Sequence, residues 1–88
     1  MDNDKATGAE TTDAEIADRI NNALIVRGVN KKLLAEKIGL SYSTLRRSLD
    51  QERGDRRSLT IRELGKIAEV LEVQPAILLP ATLTAVAA

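Results

Sequence analysis

The chain contains no cysteine and no histidine. The first absence excludes disulfides and thiolate metal sites. The second removes the commonest general base and metal ligand. Together they exclude zinc fingers. Tryptophan and phenylalanine are also missing, and Tyr42 is the only aromatic residue. No apolar run approaches the roughly 20 residues that span a bilayer. The opening residues, MDNDKATGAETTD, are acidic and polar and do not read as a secretory signal. With no glycine-rich phosphate loop and no activated nucleophile or paired carboxylates, the chain is not expected to be an enzyme. No metal, cofactor or small-molecule ligand is expected either. A length of 88 residues allows one domain with a modest core, and a cytoplasmic location is expected.

The formal net charge of zero hides a segregation of sign. Residues 1–26 carry −4, residues 27–62 carry +6 and residues 63–88 carry −2. A basic excess confined to the middle of the chain points to a polyanionic partner.

Apolar spacing is helical throughout, and no segment alternates as a strand. Residues 1–11 lack periodicity and are expected to form a disordered tail. Thr12 with Glu15 fits a capping box, followed by a stripe of Ile16, Ile20, Ala23 and Leu24 and a left-handed stop at Gly28. Asn30 suits the N-cap of a second helix with Leu34, Ala35 and Ile38 beneath it. Gly39 ends that helix and Leu40 seats the turn. Ser41 caps a third helix over about 42–49, anchored by Leu45 and Leu49. After the polar stretch 51–58, Thr60 and Glu63 form another capping box. It opens a fourth helix with Ile61, Leu64, Ile67, Ala68 and Leu71 on its apolar face. Val73 turns the chain inward, Gln74-Pro75 opens a fifth short helix, and Pro80 breaks it. Residues 12–80 thus form an all-α domain. Residues 81–88, ATLTAVAA, are uncharged and apolar, and are expected either to pack back on the core or to pair with a second copy.

The second and third helices, joined by a short glycine turn, read as a helix-turn-helix whose third helix suits the major groove of duplex DNA. Tyr42 and Ser43 on its first turn, with Arg46 and Arg47 one turn on, are the candidates for reading bases. Bidentate arginine on guanine is the commonest specific contact. Lys31 and Lys32 at the start of helix 2, Thr44, and Arg53, Arg56 and Arg57 in the loop are the candidates for phosphate contacts. On any other helix, Arg46-Arg47 would read as an ordinary solvated pair. Lone Tyr42 would read as a packing residue.

Residues 31–79 resemble the helix-turn-helix domain of the phage repressor and Cro family, also called the XRE family. The likeness rests on Leu34-Ala35, Gly39-Leu40-Ser41, Thr44-Leu45, Leu64-x-x-Ile67-Ala68-x-x-Leu71-x-Val73 and Pro75-x-x-Leu78-Leu79. The chain departs from the family pattern at Lys31, at Ser48-Leu49 and in the length of the loop from Gln51 to Ser58. The resemblance implies a five-helix, lambda-repressor-like fold that binds operator double-stranded DNA, usually as a homodimer. It favours Arg47, with Tyr42 and Ser43 beside it, as the base reader. A phage or prophage repressor is the implied function, placing the protein at the bacterial nucleoid or in a phage-infected cell. An autoregulating antitoxin and a protein-interaction module on the same fold are the alternatives.

Overall fold

The computed structural model describes residues 9–50 and 56–80. Four α-helices, α1 (Ala9–Arg27), α2 (Lys31–Ile38), α3 (Tyr42–Leu49) and α4 (Ile61–Leu71), precede a single 3₁₀ turn, Pro75–Leu78. No strand occurs among the described residues, and no helix there is long and apolar enough to cross a membrane. The expected fifth helix is thus one 3₁₀ turn. Pro75 starts it, but only four residues lie between Pro75 and Pro80, too few for an α-helix to develop.

The first helix begins at Ala9, three residues before Thr12. Thr12 therefore lies inside α1, and the capping box expected there does not form. The other three N-caps follow the sequence. Asn30 Oδ1 accepts from the Leu33 N–H at 2.8 Å, and Ser41 Oγ accepts from the Thr44 N–H at 3.1 Å. Thr60 and Glu63 exchange side-chain and backbone bonds, each at 3.0 Å. Such caps satisfy N–H groups that a helix leaves without partners.

Three helices end in the same way. The amides of Val29, Leu40 and Val73 each donate to the carbonyl five residues back, on Leu24, Ala35 and Ala68, at 3.0 Å. The residue before each adopts the left-handed conformation: Gly28 at φ 70°, Gly39 at φ 80° and Glu72 at φ 58°. These are Schellman endings, in which an apolar residue after the turn covers the helix end. Two use glycine. Glu72 is the exception, and nothing in its residue type foretells it.

The core is Ile16, Ala17, Ile20 and Leu24 from α1, Leu34, Ala35 and Ile38 from α2, Leu45 and Leu49 from α3, Ile67, Ala68 and Leu71 from α4, and Leu78. Burying each large aliphatic side chain contributes roughly 1.5–3 kcal/mol. Periodicity puts Ile61 on the apolar face of α4, but as the first residue of the helix it projects outward and is 86% exposed. Helix α1 packs on α3, α4 and the 3₁₀ turn, while α2 packs on α3 and α4. Among the described residues, none covers the outer face of α3.

Candidate nucleic-acid interface

Helix α3 is divided along its length. Leu45, Ser48 and Leu49 are buried, whereas Tyr42, Ser43, Arg46 and Arg47 are exposed. Leu45, with no exposed surface, and Leu49 beside it fix which way the helix is rolled. The four base-reading candidates therefore share one outer face, displayed beyond a turn of only three residues, Gly39 to Ser41.

Within that face, Arg46 Cζ stands 5.7 Å from the centroid of the Tyr42 ring, within cation–π range. Arg46 Nε also donates to Asp50 Oδ2 at 3.3 Å, and Lys31 Nζ from the start of α2 donates to Asp50 Oδ1 at 2.7 Å. Burial pushes the Asp50 carboxyl up, but the hydrogen bonds and charges of Lys31 and Arg46 outweigh it and hold the group below its ordinary value. The Arg47 side chain is exposed and makes no hydrogen bond or ion pair among the described residues. Lys32 is exposed on α2. Thr44 is half-buried, its Oγ1 accepting from Ser41 Oγ at 2.7 Å.

The loop arginines divide. Arg53 lies outside the described residues, as do residues 1–8 and 81–88. The sequence predicts Arg56 and Arg57 on phosphates, but the structure gives both inward partners. Arg56 Nη1 donates to the carbonyl of Ser48 at 3.1 Å, at the end of α3. Arg57 Nη1 donates to Ser48 Oγ at 3.1 Å, and its two Nη groups grip both oxygens of Glu63 at 3.2 and 2.7 Å. Its own amide donates to the Arg47 carbonyl at 3.1 Å. For Arg57 the physical reason is Ser48, 2% exposed, whose hydroxyl needs a partner, and Arg56 meets carbonyls that the last turn of α3 leaves open. The Arg57 hydrogen bonds hold Glu63 below its ordinary range, against an opposing push from burial and with help from the Thr60 N–H.

Helix α1 holds the interface from behind. Asn21 Nδ2 donates to the Leu49 carbonyl at 3.1 Å. Arg27 caps the end of α4, Nε to the Leu71 carbonyl at 2.8 Å and Nη2 to that of Glu72 at 2.7 Å. Sequence reasoning assigned no role to Asp50, Ser48 or Asn21. The available signals were a serine at an apolar position and an asparagine beside the Ile16–Ile20–Leu24 stripe.

Among the described residues no group of three or more histidines, cysteines or carboxylates could hold a metal ion. A groove of about 540 Å³ lies away from α3, lined by Ile16, Leu59, Ile61, Leu64, Gly65, Pro75 and Leu79.

The sequence model of the Cro/C1-type HTH DNA-binding domain matches residues 19–80, more than two thirds of the chain. No curated protein and no solved structure gives a significant match. The matched span takes in the two helices, the turn between them and all four exposed residues of α3.

Proposed function

We propose that this chain, which belongs to the Cro/C1-type helix-turn-helix DNA-binding family, is a transcriptional regulator that reads a specific operator with α3 in the major groove. One observation carries the reading: Tyr42, Ser43, Arg46 and Arg47 lie together on the outer face of a helix whose opposite face is locked into the core. A fixed helix roll is what base reading demands, because a bidentate contact tolerates little misplacement.

In this reading Arg47 and Arg46 contact guanines, and Tyr42 and Ser43 contact the bases beside them. Lys31, Lys32 and Thr44 hold phosphates near the start of the two helices, and Arg53 is retained as a phosphate donor on charge. Arg56 and Arg57 serve the interface indirectly, by fixing the last turn of α3. A phage or prophage repressor or Cro-like protein is the regulator class that the family resemblance favours. The apolar groove beside Leu79 and exposed Ile61 support association into a homodimer. Two copies related by a two-fold axis would read half-sites about one helical turn apart.

Selection of bound duplexes from a random pool, followed by sequencing, tests the reading. The expected product is an inverted repeat with guanines in each half-site. Failure of any sequence to enrich would leave the protein-interaction alternative in its place.

A further inference from the structure

Asp50 sits where a helix least favours an acid. It is the C-cap of α3, with φ −110° and ψ −8°, and its amide donates to the Arg46 carbonyl at 2.8 Å. The C-terminal end of a helix carries partial negative charge, so a carboxylate there needs compensation. The compensation comes from two of the residues assigned to DNA. Lys31 takes one carboxylate oxygen and Arg46 the other. An exposed pair four residues apart on a helix is ordinarily mobile and contributes little. This one is anchored from outside its own helix by Lys31, and Tyr42 covers the Arg46 guanidinium.

Tyr42, Arg46 and Asp50 are spaced four residues apart along α3. The guanidinium thus has a ring on one side and a carboxylate at Nε. Its side chain is still 55% exposed, and its two Nη groups make no hydrogen bond among the described residues. Those two donors are what a bidentate guanine contact uses.

We propose that Asp50 is a specificity-determining positioning residue: anchored by Lys31, it fixes Arg46 by its Nε edge so that the Nη edge reads a base, and it keeps Arg46 from indiscriminate phosphate binding. The proposal rests on the DNA-reading function given above. Asp50 touches no base. It acts by limiting what Arg46 does.

Removing the charge therefore has opposite consequences on right and wrong DNA. The freed Arg46 guanidinium gains a phosphate on any duplex, and one added phosphate contact steepens the logarithmic salt dependence by about 0.9. Near 0.1 M salt that slope corresponds to roughly tenfold tighter random binding. On the operator the gain is offset, because Arg46 loses its preset orientation.

The experiment measures affinity for the selected operator and for a scrambled duplex over a salt series, in the wild-type chain and in Asp50→Asn. Expected for Asp50→Asn is roughly tenfold tighter binding to scrambled DNA, a salt slope steeper by about one, and no gain on the operator. Selectivity then falls about tenfold. Equal tightening on both duplexes would mean that Asp50 acts through net charge alone, and equal weakening would mean that it only supports the fold; either overturns the proposal. A wild-type chain that selects no duplex would instead overturn the function on which the proposal rests. A second measurement needs no variant. In ¹H–¹⁵N spectra of the free wild-type protein, the Arg46 Nε–H should resist exchange with water at a pH where that of Arg47 has vanished. Equal exchange of the two would show that no such buttress exists.

Discussion

Arg57 and Glu63 form a two-pronged ion pair, Nη2 to Oε2 at 2.7 Å and Nη1 to Oε1 at 3.2 Å, that ties the chain leaving the loop to the first turn of α4. Both side chains are less than a quarter exposed, and the same guanidinium holds Ser48 on α3. Arg57→Ala strands a half-buried carboxylate and a buried hydroxyl. A loss of about 2–3 kcal/mol in unfolding free energy is expected, below the full cost of breaking a completely buried pair. Arg57→Lys should recover less than half of it, because an ammonium cannot make the two-pronged contact. Urea titration measures both.

The same carboxylates set the acid limit. Glu63 and Asp50 are held below their ordinary values of 4.5 and 3.8. A carboxyl whose folded pKa is depressed stabilises the fold at pH above the unfolded value. That contribution is lost as pH falls through the folded one. Stability should therefore be level above about pH 5 and decline progressively below about pH 4.5. In Glu63→Gln the decline should be shallower and the starting stability lower. Melting curves from pH 7 to pH 3 check the sign; a variant with the wild-type slope would remove Glu63 from the explanation.

Two positions, one within α4 and one at its C-cap, carry avoidable cost. Gly65 lies in mid-helix, and a Cβ added there meets no atom within 4 Å. Gly65→Ala should stabilise by about 0.5–1 kcal/mol. Glu72 occupies a left-handed conformation at φ 58° without being glycine, so Glu72→Gly should gain up to about 1 kcal/mol. Thermal melts of the single and double variants should show nearly additive gains. Gly65 also lines the apolar groove. If a second copy uses that groove, Gly65→Ala should shift the monomer–dimer balance measured by sedimentation, and Glu72→Gly should not.

Arg47 is expected to read a base directly. Arg47→Ala should cost about 1–3 kcal/mol on the operator and relax the preference at a single base-pair position in each half-site. Competition binding against single-position operator variants measures it. A uniform loss on every sequence would make Arg47 a phosphate clamp.

The helices were legible because their signals are local. Periodicity gave most of each core stripe, Ile61 excepted, and Asn30, Ser41 and Thr60 capped helices where their short polar side chains allowed. Gly28 and Gly39 marked two endings by lacking a Cβ. Glu72 makes the same ending from a residue type that disfavours it, so only the tertiary fit of Val73 reveals it. Thr12 misled because a capping pair looks the same inside a helix as at its start. Within the interface, the exposed face of α3 followed from its buried one. The inward turn of Arg56 and Arg57 did not, because it depends on the contact between Ser48 and a loop that spacing cannot place. Asp50 went unassigned for a related reason: Lys31 lies 19 residues away, and only folding sets the two side by side.

The ring that covers Arg46 is also the protein's sole intrinsic fluorophore. Every photon that tyrosine emission yields from this chain originates on the surface assigned to the operator, with no tryptophan to swamp it. Unlabelled protein can thus be titrated directly, and a stopped-flow trace would time the docking of α3 itself.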